Sequence, residues 1–444
     1  MTYAGRRTVL GLAAAATVGG RALVAPAAAA TSDDNPLFTV PQRRLDARAL
    51  RLWQSADLAD AMATARASYV AGHGPVVSDE ALARLDNAIA ELAVGMLLTA
   101  LNDDPFRPAT YWLGAAEHSW GGLDLPGSRW AYDNPDTFYR TIPIDPDSTY
   151  EVVGQLRGQG TADLAFSLVN DLITQTTVGY VDGQTLRSRR RPSYRLTIGP
   201  RTAKGRSHHL QTTSDAKQLF VRSITANWAG QRPDHLWVRR TAGPVAPPAR
   251  SDEEIVEQTR ALLVRGGAVF GGALLGYKTM SNPANTMSTP GITPGALVSQ
   301  ANSFGHVELS DDQALVVRLD PAGADYVTLP VTDPWMVGVD PGRHQSSLNG
   351  RQASPDRDGT YTFVVSPTDP GVANWVSTAG AHEATIMARW QRLGSGKPAI
   401  STELVQRADL PAALPGGTRL VTPGERVATL ARRLRLYGRR FETS

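Results

Sequence analysis

The sequence predicts a mainly β protein with accessory helices, an α+β class in which two tandem jelly-roll or β-sandwich-like domains arose by internal duplication. Residues 194–225 and 361–392 follow one plan of strand, polar loop and strand, and Arg222 of the first copy recurs 167 positions later as Arg389. Apolar residues alternate along short runs that turn signals interrupt about every 8 to 12 residues, as in antiparallel sandwiches. A constant offset of domain size indicates two copies of one β domain and not a solenoid.

The chain divides into six predicted segments. They are a twin-arginine signal peptide over residues 1–30, a helical segment over 40–105, a first β domain over 110–245, a helical and irregular linker over 246–298, a second β domain over 299–405 and a C-terminal helix over 420–441. At 444 residues the chain is long enough for two or three domains with their own cores.

Residues 1–30 are typical of an export signal. Arg6 and Arg7 precede an apolar run that is rich in Ala and Gly and too short to span a bilayer comfortably. The whole chain has 45 basic and 42 acidic residues, and the three arginines of this segment account for the difference. The basic pI therefore gives no argument for a nucleic-acid partner. We expect a protein that is secreted or held in the cell envelope, without stable membrane insertion once the signal is removed.

Replacing both Arg6 and Arg7 by Lys should block secretion, because the twin-arginine receptor recognises the guanidinium pair. Immunoblots of the medium and of cell fractions would measure the effect, with Arg21→Lys in the same segment as the control. Unchanged secretion of the double variant would contradict the assignment.

Helical signals frame the β domains. Leu85, Ile89 and Leu92 recur at three- and four-residue spacing behind Ser78, as in an amphipathic helix that begins at a serine cap. Capping boxes begin further helices at Ser251 and Thr422. In the last helix we predict one apolar face and a solvated face of arginines. The apolar face comprises Val427, Leu430, Leu434, Tyr437 and Phe441, and the arginines are Arg432, Arg433, Arg435, Arg439 and Arg440.

Two turns mark corresponding points of the repeats. Asp182-Gly183 and Asn349-Gly350 are dipeptides that favour tight β-hairpins, and they too are 167 positions apart. We therefore expect matching turns after matching strands.

Residues of the second copy carry a family resemblance. The segment from Asn302 to Arg389, with Asp311-Asp312, Asn349-Gly350 and Asn374-Trp375, resembles the domain of unknown function family 1214. The upstream stretches 133–140 and 209–222 are similar to actinobacterial members that join this domain to the companion family 1254. The resemblance implies jelly-roll-like β domains and brings no agreed activity.

The first candidate site is the stretch Trp130 to Arg140, which is dense in aromatic and charged residues. Aromatic rings that stack on sugars, with Asp and Arg for the hydroxyl or acidic groups, are typical of carbohydrate sites. Asp133 and Asp136 are the candidate acid and base, and Tyr139 is a second proton donor. Arg140 or His209 would neutralise charge, and Trp130 and Tyr132 would bind the ligand. The alternative is a turn whose aromatics enter the core and whose carboxylates cap backbone amides.

Two further constellations come from the repeats. The loop with His208-His209 in the first copy holds Asn374-Trp375 in the second, so Asn374, Trp375 and Arg389 join the predicted ligand contacts. Adjacent histidines on a strand point to opposite sides, which disfavours a shared metal. His306 and Glu308 share a strand face, near His382-Glu383, as a proton relay or metal ligands would require; the alternative is a surface ion pair.

The absence of cysteine excludes disulfides, iron–sulfur clusters and thiol nucleophiles. GxSxG, Walker and GxGxxG signatures in the required context are missing too, so serine hydrolases, nucleotide hydrolases and nicotinamide enzymes are disfavoured. No metal is predicted, and the identity of any other cofactor and the oligomeric state stay open. Two functions remain. One is a secreted hydrolase or lyase, or a binder, for a small polar, carbohydrate-like or amphipathic ligand. The other is a non-catalytic binding or structural protein of the envelope.

Overall fold

The computed structural model describes residues 35–187, 192–293 and 297–443, so the predicted signal peptide lies outside the described residues. The predicted class is confirmed: the fold is α+β, and β-sheets dominate it. The helices are α1 Val40–Ser55, α2 Ala59–His73, α3 Asp79–Leu101, α4 Gly183–Leu186, α5 Asp252–Gly267, α6 Leu410–Ala413 and α7 Pro423–Gly438, and α5 continues directly into a π-helix, Ala268–Met280.

The first repeat is a sandwich of two sheets. Its strands are β1 Tyr111–Leu113, β2 His118–Trp120, β3 Leu123–Leu125, β4 Thr137–Pro143, β5 Thr149–Gln155, β6 Asp163–Val169, β7 Thr177–Asp182, β8 Ser193–Gly199, β9 His209–Gln211, β10 Gln218–Ile224 and β11 His235–Ala242. One sheet has the order β1-β4-β10-β6-β7 and the other β11-β5-β8-β9, while β2 and β3 form a separate ribbon. Ile142, Val152, Phe166 and Leu196 lie in the core between the two sheets.

The second repeat has the same topology. Its strands are β12 Thr286–Met287, β13 Gly291–Ile292, β14 Gln300–Glu308, β15 Gln313–Asp320, β16 Tyr326–Thr332, β17 Ser347–Asn349, β18 Tyr361–Ser366, β19 Trp375–Ser377, β20 Glu383–Gln391 and β21 Ala399–Gln406. The orders β12-β14-β20-β16-β17 and β19-β18-β15-β21 match those of the first repeat, and β13 adds one further strand that pairs with β14. The parallel pair β8-β9 also recurs as β18-β19. Identical strand order in both copies is what duplication of one domain predicts.

The matching turns follow equivalent strands, but neither is the tight hairpin that we predicted. Asp182 ends β7 at the edge of one sheet, and β8 lies in the facing sheet. The Asp182 carboxylate accepts a hydrogen bond from the Gln184 amide at 2.9 Å and so begins α4. Asn349 likewise ends β17 before the chain crosses to the facing sheet. A crossing between sheets needs more chain than a two-residue hairpin provides.

The C-terminal helix buries arginines where we predicted an apolar face. Arg426 and Arg433 are buried with Tyr437, whereas Val427 is 67% exposed. The Arg426 guanidinium pairs with the Asp369 carboxylate at 2.8 Å, and the Arg433 guanidinium lies over the Trp228 ring. The partners of these two arginines therefore decide which side of α7 faces the protein.

Within the helical layer, α2 and the π-helix pack closely against each other. A Cβ on Gly271 of the π-helix would lie 2.7 Å from the carbonyl oxygen of Ser68 on α2, so the two backbones nearly touch. This approach fixes the side of the π-helix that faces the sheets. Of the helices in the described ranges, none is both long enough and apolar enough to cross a membrane.

Candidate functional site: a cavity between the two repeats

A cavity of about 370 Å³ lies between the two sandwiches and the π-helix. Strands β4 and β10 of the first repeat form one wall, and the equivalent strands β14 and β20 of the second repeat form another. The π-helix and the segment from Trp130 to Asn134 close the remaining sides. Its volume lies within the range of small-molecule sites, about 300 to 1,000 Å³.

Both repeats present the same strand positions to this cavity. Tyr139 on β4 is paired with Arg222 on β10, and Asn302 on β14 is paired with Arg389 on β20. All four residues line the cavity. Because side chains two residues apart share a strand face, Phe220 also faces the cavity beside Arg222. The duplication has therefore placed one arginine on the central strand of each wall.

The two arginines are buried and bonded to neutral groups. Arg222 is 8% exposed, donates to Gln175 Oε1 at 2.7 Å and lies 4.0 Å from the centre of the Phe220 ring. Burial lowers the pKa of Arg222 to about 10, and the positive charge of Arg389 contributes to that shift. Arg389 is 4% exposed and donates to the carbonyl oxygens of Met387 and Tyr132.

A chain of hydrogen bonds runs along the second repeat's wall. Gln391 Nε2 donates to Gln300 Oε1 at 2.6 Å, and Gln300 Nε2 donates to Asn302 Oδ1 at 2.6 Å. The Thr293 hydroxyl then accepts from Asn302 Nδ2 and from Lys278 Nζ, each at 3.2 Å. At the other end, the buried Gln391 Oε1 has no hydrogen-bond partner among the described residues.

Backbone strain accompanies the aromatic side of the cavity. Ala131 and Tyr132 have φ angles of 53° and 65°, which side chains other than Gly rarely adopt. The Tyr132 amide donates to the Met336 carbonyl at 2.9 Å, and its hydroxyl lies 2.6 Å from Thr279 Oγ1 of the π-helix. Such conformations persist only where surrounding contacts enforce them, and they are common at functional sites.

Asp133 is the acidic side chain of the cavity lining. Its Oδ1 accepts a hydrogen bond from the Gly338 amide at 2.7 Å. Burial raises the pKa of Asp133 to about 6, and the positive charge of Arg129 opposes the shift. A carboxyl group with this pKa can hold or release a proton near neutral pH.

The structure brings five of the ten sequence-predicted site residues to the cavity. These five are Trp130, Tyr132, Asp133, Tyr139 and Arg389. The other five lie elsewhere: Asp136, Arg140, His209, Asn374 and Trp375. The first group lies in the segment before β4 or on the cavity faces of β4 and β20, and the second group lies in turns and in the core.

Asp136 and Arg140 are fully enclosed structural groups. The Asp136 carboxylate accepts from Trp228 Nε1 at 2.7 Å, Tyr326 Oη at 2.7 Å and Asn349 Nδ2 at 2.8 Å. Arg140 extends from the opposite face of β4, where its Nη2 donates to the Ser223 hydroxyl at 2.9 Å. The prediction of Asp136 as a candidate acid or base is wrong, because three buried donors surround its carboxylate and it does not line the cavity.

The equivalent loops of the two repeats are held by hydrogen bonds to neighbouring strands and loops. His209 Nδ1 lies 2.7 Å from Thr197 Oγ1, and its Nε2 lies 2.7 Å from the Arg201 carbonyl oxygen. Asn374 Nδ2 donates to the Ser354 carbonyl at 2.7 Å. Trp375 Nε1 donates to the Ser366 carbonyl at 3.2 Å. Each side chain fixes the loop that carries it.

In the predicted His–Glu constellation, His306 and His382 have different acidic partners, and His382 contacts Asp311 as well as Glu80. His306 Nε2 lies 3.8 Å from Glu308 Oε1, and His382 Nδ1 lies 2.9 Å from Glu80 Oε2. The Glu80 hydrogen bond raises the pKa of His382. Within residues 35–187, 192–293 and 297–443, no three or more His, Asp or Glu side chains are grouped so as to hold a metal ion.

Sequence reasoning does not identify Phe220 and Arg222 of β10, or Lys278 of the π-helix, as lining residues. Arg222 enters the sequence analysis only as a marker of the repeat, and Lys278 lies in the predicted linker. The signal for Arg222 was present, since the duplication makes it the counterpart of Arg389, which we did include. The role of the π-helix has no such signal in the sequence.

Comparison with known proteins shows the fold. No family model and no curated protein matches the chain, so the resemblance to families 1214 and 1254 stays a prediction. A crystal structure of an uncharacterised protein from Burkholderia cenocepacia aligns with a TM-score of 0.66 at 19% identity, covering 82% of this chain and 99% of that one. A protein from Vibrio parahaemolyticus aligns at 12% identity with a TM-score of 0.39, covering 61% of this chain and 90% of that one.

Proposed function

We propose that the protein binds a small amphipathic ligand in the cavity between its repeats. The observation that carries the proposal is the cavity itself, about 370 Å³ in volume, with aromatic and aliphatic walls and a few convergent polar groups. Trp130, Phe220, Phe304 and Leu274 supply apolar contacts, and the amide chain that ends at Gln391 supplies directional ones. In the proposed setting, the protein is secreted or held in the envelope and takes up its ligand there.

Catalysis is the second candidate function. Asp133 has a pKa of about 6 and shares the cavity with Tyr139, whose hydroxyl accepts a hydrogen bond from the Asn134 amide at 3.1 Å. A carboxyl group that exchanges its proton near neutral pH beside a phenol suits a hydrolase or lyase. The apolar walls favour an amphipathic substrate over an oligosaccharide.

Filling the cavity should abolish binding. Ala273 lies on the cavity face of the π-helix and is solvent-accessible, so Ala273→Trp adds bulk to the cavity without displacing a core side chain. We expect N-phenyl-1-naphthylamine, a neutral fluorescent probe, to bind the wild-type protein with one-to-one stoichiometry and to lose at least about tenfold in affinity in the variant.

The matched control is Tyr277→Trp on the same helix, because Tyr277 is 78% exposed and does not line the cavity. Thermal melts would check that both variants are folded. Equal probe affinity in wild type and a folded Ala273→Trp variant would contradict the proposal.

A further inference from the structure

Cationic side chains outnumber acidic ones in the described part of the cavity lining. Among the described residues of the lining, Arg222, Lys278 and Arg389 contribute cationic groups and Asp133 contributes an acidic one. Lys278 is half-buried, and burial lowers its pKa. A cavity with this composition repels organic cations and favours an anionic ligand.

Some buried or partly buried arginines of the chain pair with a carboxylate, whereas Arg140 and Arg433, among the described residues, donate only to hydroxyl and carbonyl oxygens and, unlike Arg222 and Arg389, do not line the cavity. Arg129, Arg187 and Arg426 each pair with a carboxylate. These carboxylates belong to Glu91, Asp234 and Asp369. A buried cation is normally accompanied by such a counter-charge, because removing an ion from water is costly.

Arg222 and Arg389 lack such a partner among the described residues. The Arg222 side chain donates to the Ser167 hydroxyl at 3.4 Å and to Gln175 Oε1 at 2.7 Å, both neutral oxygens. Within the described part of the chain, the hydrogen bonds of the Arg389 side chain go to two backbone carbonyl oxygens. A guanidinium has five N–H donors in a planar fork that matches a carboxylate, sulfonate or phosphate. Each arginine therefore keeps donors that a ligand's acidic group could use.

The repeat geometry directs both guanidinium groups to one space. Arg222 and Arg389 occupy equivalent positions on β10 and β20, and both line the cavity from opposite repeats. The aromatic rings of Phe220 and Phe304 lie on the same walls. An acidic group between the arginines would thus leave the rest of the ligand against apolar surface.

We infer that the cavity selects an amphipathic organic acid, whose acidic group is bound jointly by Arg222 and Arg389 and whose apolar body packs on the aromatic walls. This inference rests on the proposed function and adds the chemical class of the ligand. Of the two arginines, Arg222 is the principal contact for the ligand's anionic group. Arg389 has a second task, because it also donates to the Tyr132 carbonyl and so supports the strained Tyr132 backbone.

Two dyes with one skeleton test the inference on the wild-type protein. N-phenyl-1-naphthylamine is neutral, and 8-anilinonaphthalene-1-sulfonate adds one sulfonate to it. We expect the sulfonate to bind at least about tenfold more tightly, since charge-assisted hydrogen bonds to guanidinium groups exceed neutral ones. Decanoate should likewise displace either dye at lower concentration than decanol does.

Variants then locate the acidic group. Arg222→Gln should reduce the affinity for the sulfonate dye by at least about tenfold and leave that for the neutral dye within about twofold. Arg222→Lys, which keeps the charge and loses the fork, should lie between wild type and Arg222→Gln. Arg432→Gln on the exposed side of α7 controls for the change in net charge.

The outcomes separate the inference from the function on which it rests. If the neutral dye binds as tightly as the sulfonate and Arg222→Gln changes neither, the anion inference is overturned while the cavity remains a ligand site. If neither dye nor either decane derivative binds, or Ala273→Trp leaves binding intact, the proposed function itself fails.

Discussion

Replacing Asp136 by Ala should lower the free energy of unfolding by about 4 kcal/mol, because three buried donors lose their acceptor at once. Trp228 belongs to the first repeat, whereas Tyr326 and Asn349 belong to the second, so the Asp136 carboxylate joins the two sandwiches. Urea denaturation followed by tryptophan fluorescence would measure the loss.

The Asp136→Asn variant refines this prediction. Trp228 Nε1 donates to Oδ1, while Tyr326 and Asn349 both donate to Oδ2. An amide has one acceptor oxygen, so at least one donor group would meet an NH₂ group, and we expect a loss of about 2 kcal/mol.

The exposed Asp147 of the same repeat provides the control, where substitution by Asn or Ala should stay within about 0.5 kcal/mol. If the Asp136→Ala variant had the same free energy of unfolding as the Asp147 variants, the interdomain bonds of Asp136 would not contribute to stability. Ligand binding per folded molecule should survive in Asp136→Asn, because the residue does not line the cavity.

Replacing Glu91 by Ala should cost about 3 to 5 kcal/mol, because Arg129 would remain buried without its counter-charge. Arg129 Nε donates to Glu91 Oε2 at 2.8 Å, and the Arg129 amide donates to the same oxygen at 2.9 Å. The pair connects α3 to the segment that leads into the cavity wall, and Arg129 also donates to the Gly338 carbonyl of the second repeat.

A double-variant cycle isolates the pair. Arg129→Met removes the cation and keeps most of the side-chain volume, and combining it with Glu91→Leu removes both charges. We expect the double variant to be more stable than the sum of the single losses predicts, by about 2 kcal/mol. Additive losses would show that the two charges do not stabilise each other. Arg66→Met with Asp86→Leu, an exposed ion pair, is the matched control and should show coupling below about 1 kcal/mol.

The sequence predicted the part of the candidate site that one continuous segment of the chain forms. The segment from Trp130 to Tyr139 is unusual enough in composition to draw attention, and Trp130, Tyr132, Asp133 and Tyr139 do reach the cavity. Asp136 lies in the same stretch and does not, because Trp228, Tyr326 and Asn349 hold its carboxylate outside the cavity lining. Composition cannot tell which residue of this stretch lines the cavity and which is bound between the repeats.

The arginines of α7 also show that the sequence pattern does not predict which side chains are buried. Period and apolar content predicted that Val427 and Leu434 face the protein, yet these residues are exposed and Arg426 and Arg433 are buried. Asp369 and Trp228, which receive the two arginines, come from distant parts of the chain. A buried guanidinium is stable only where such partners exist, and their positions follow from the folded repeats.

The sequence by itself determined the duplication, and with it the two sandwiches of equal strand order, because the alternation of apolar residues and the recurring turns are local properties of the chain. Only the tertiary structure decided that β10 and β20 of the two copies face one another across a cavity, and that Arg222 and Arg389 are left there without carboxylate partners among the described residues. The physical reason is that the meeting of two domains depends on interdomain bonds such as those of Asp136, and no period or spacing within one repeat records them.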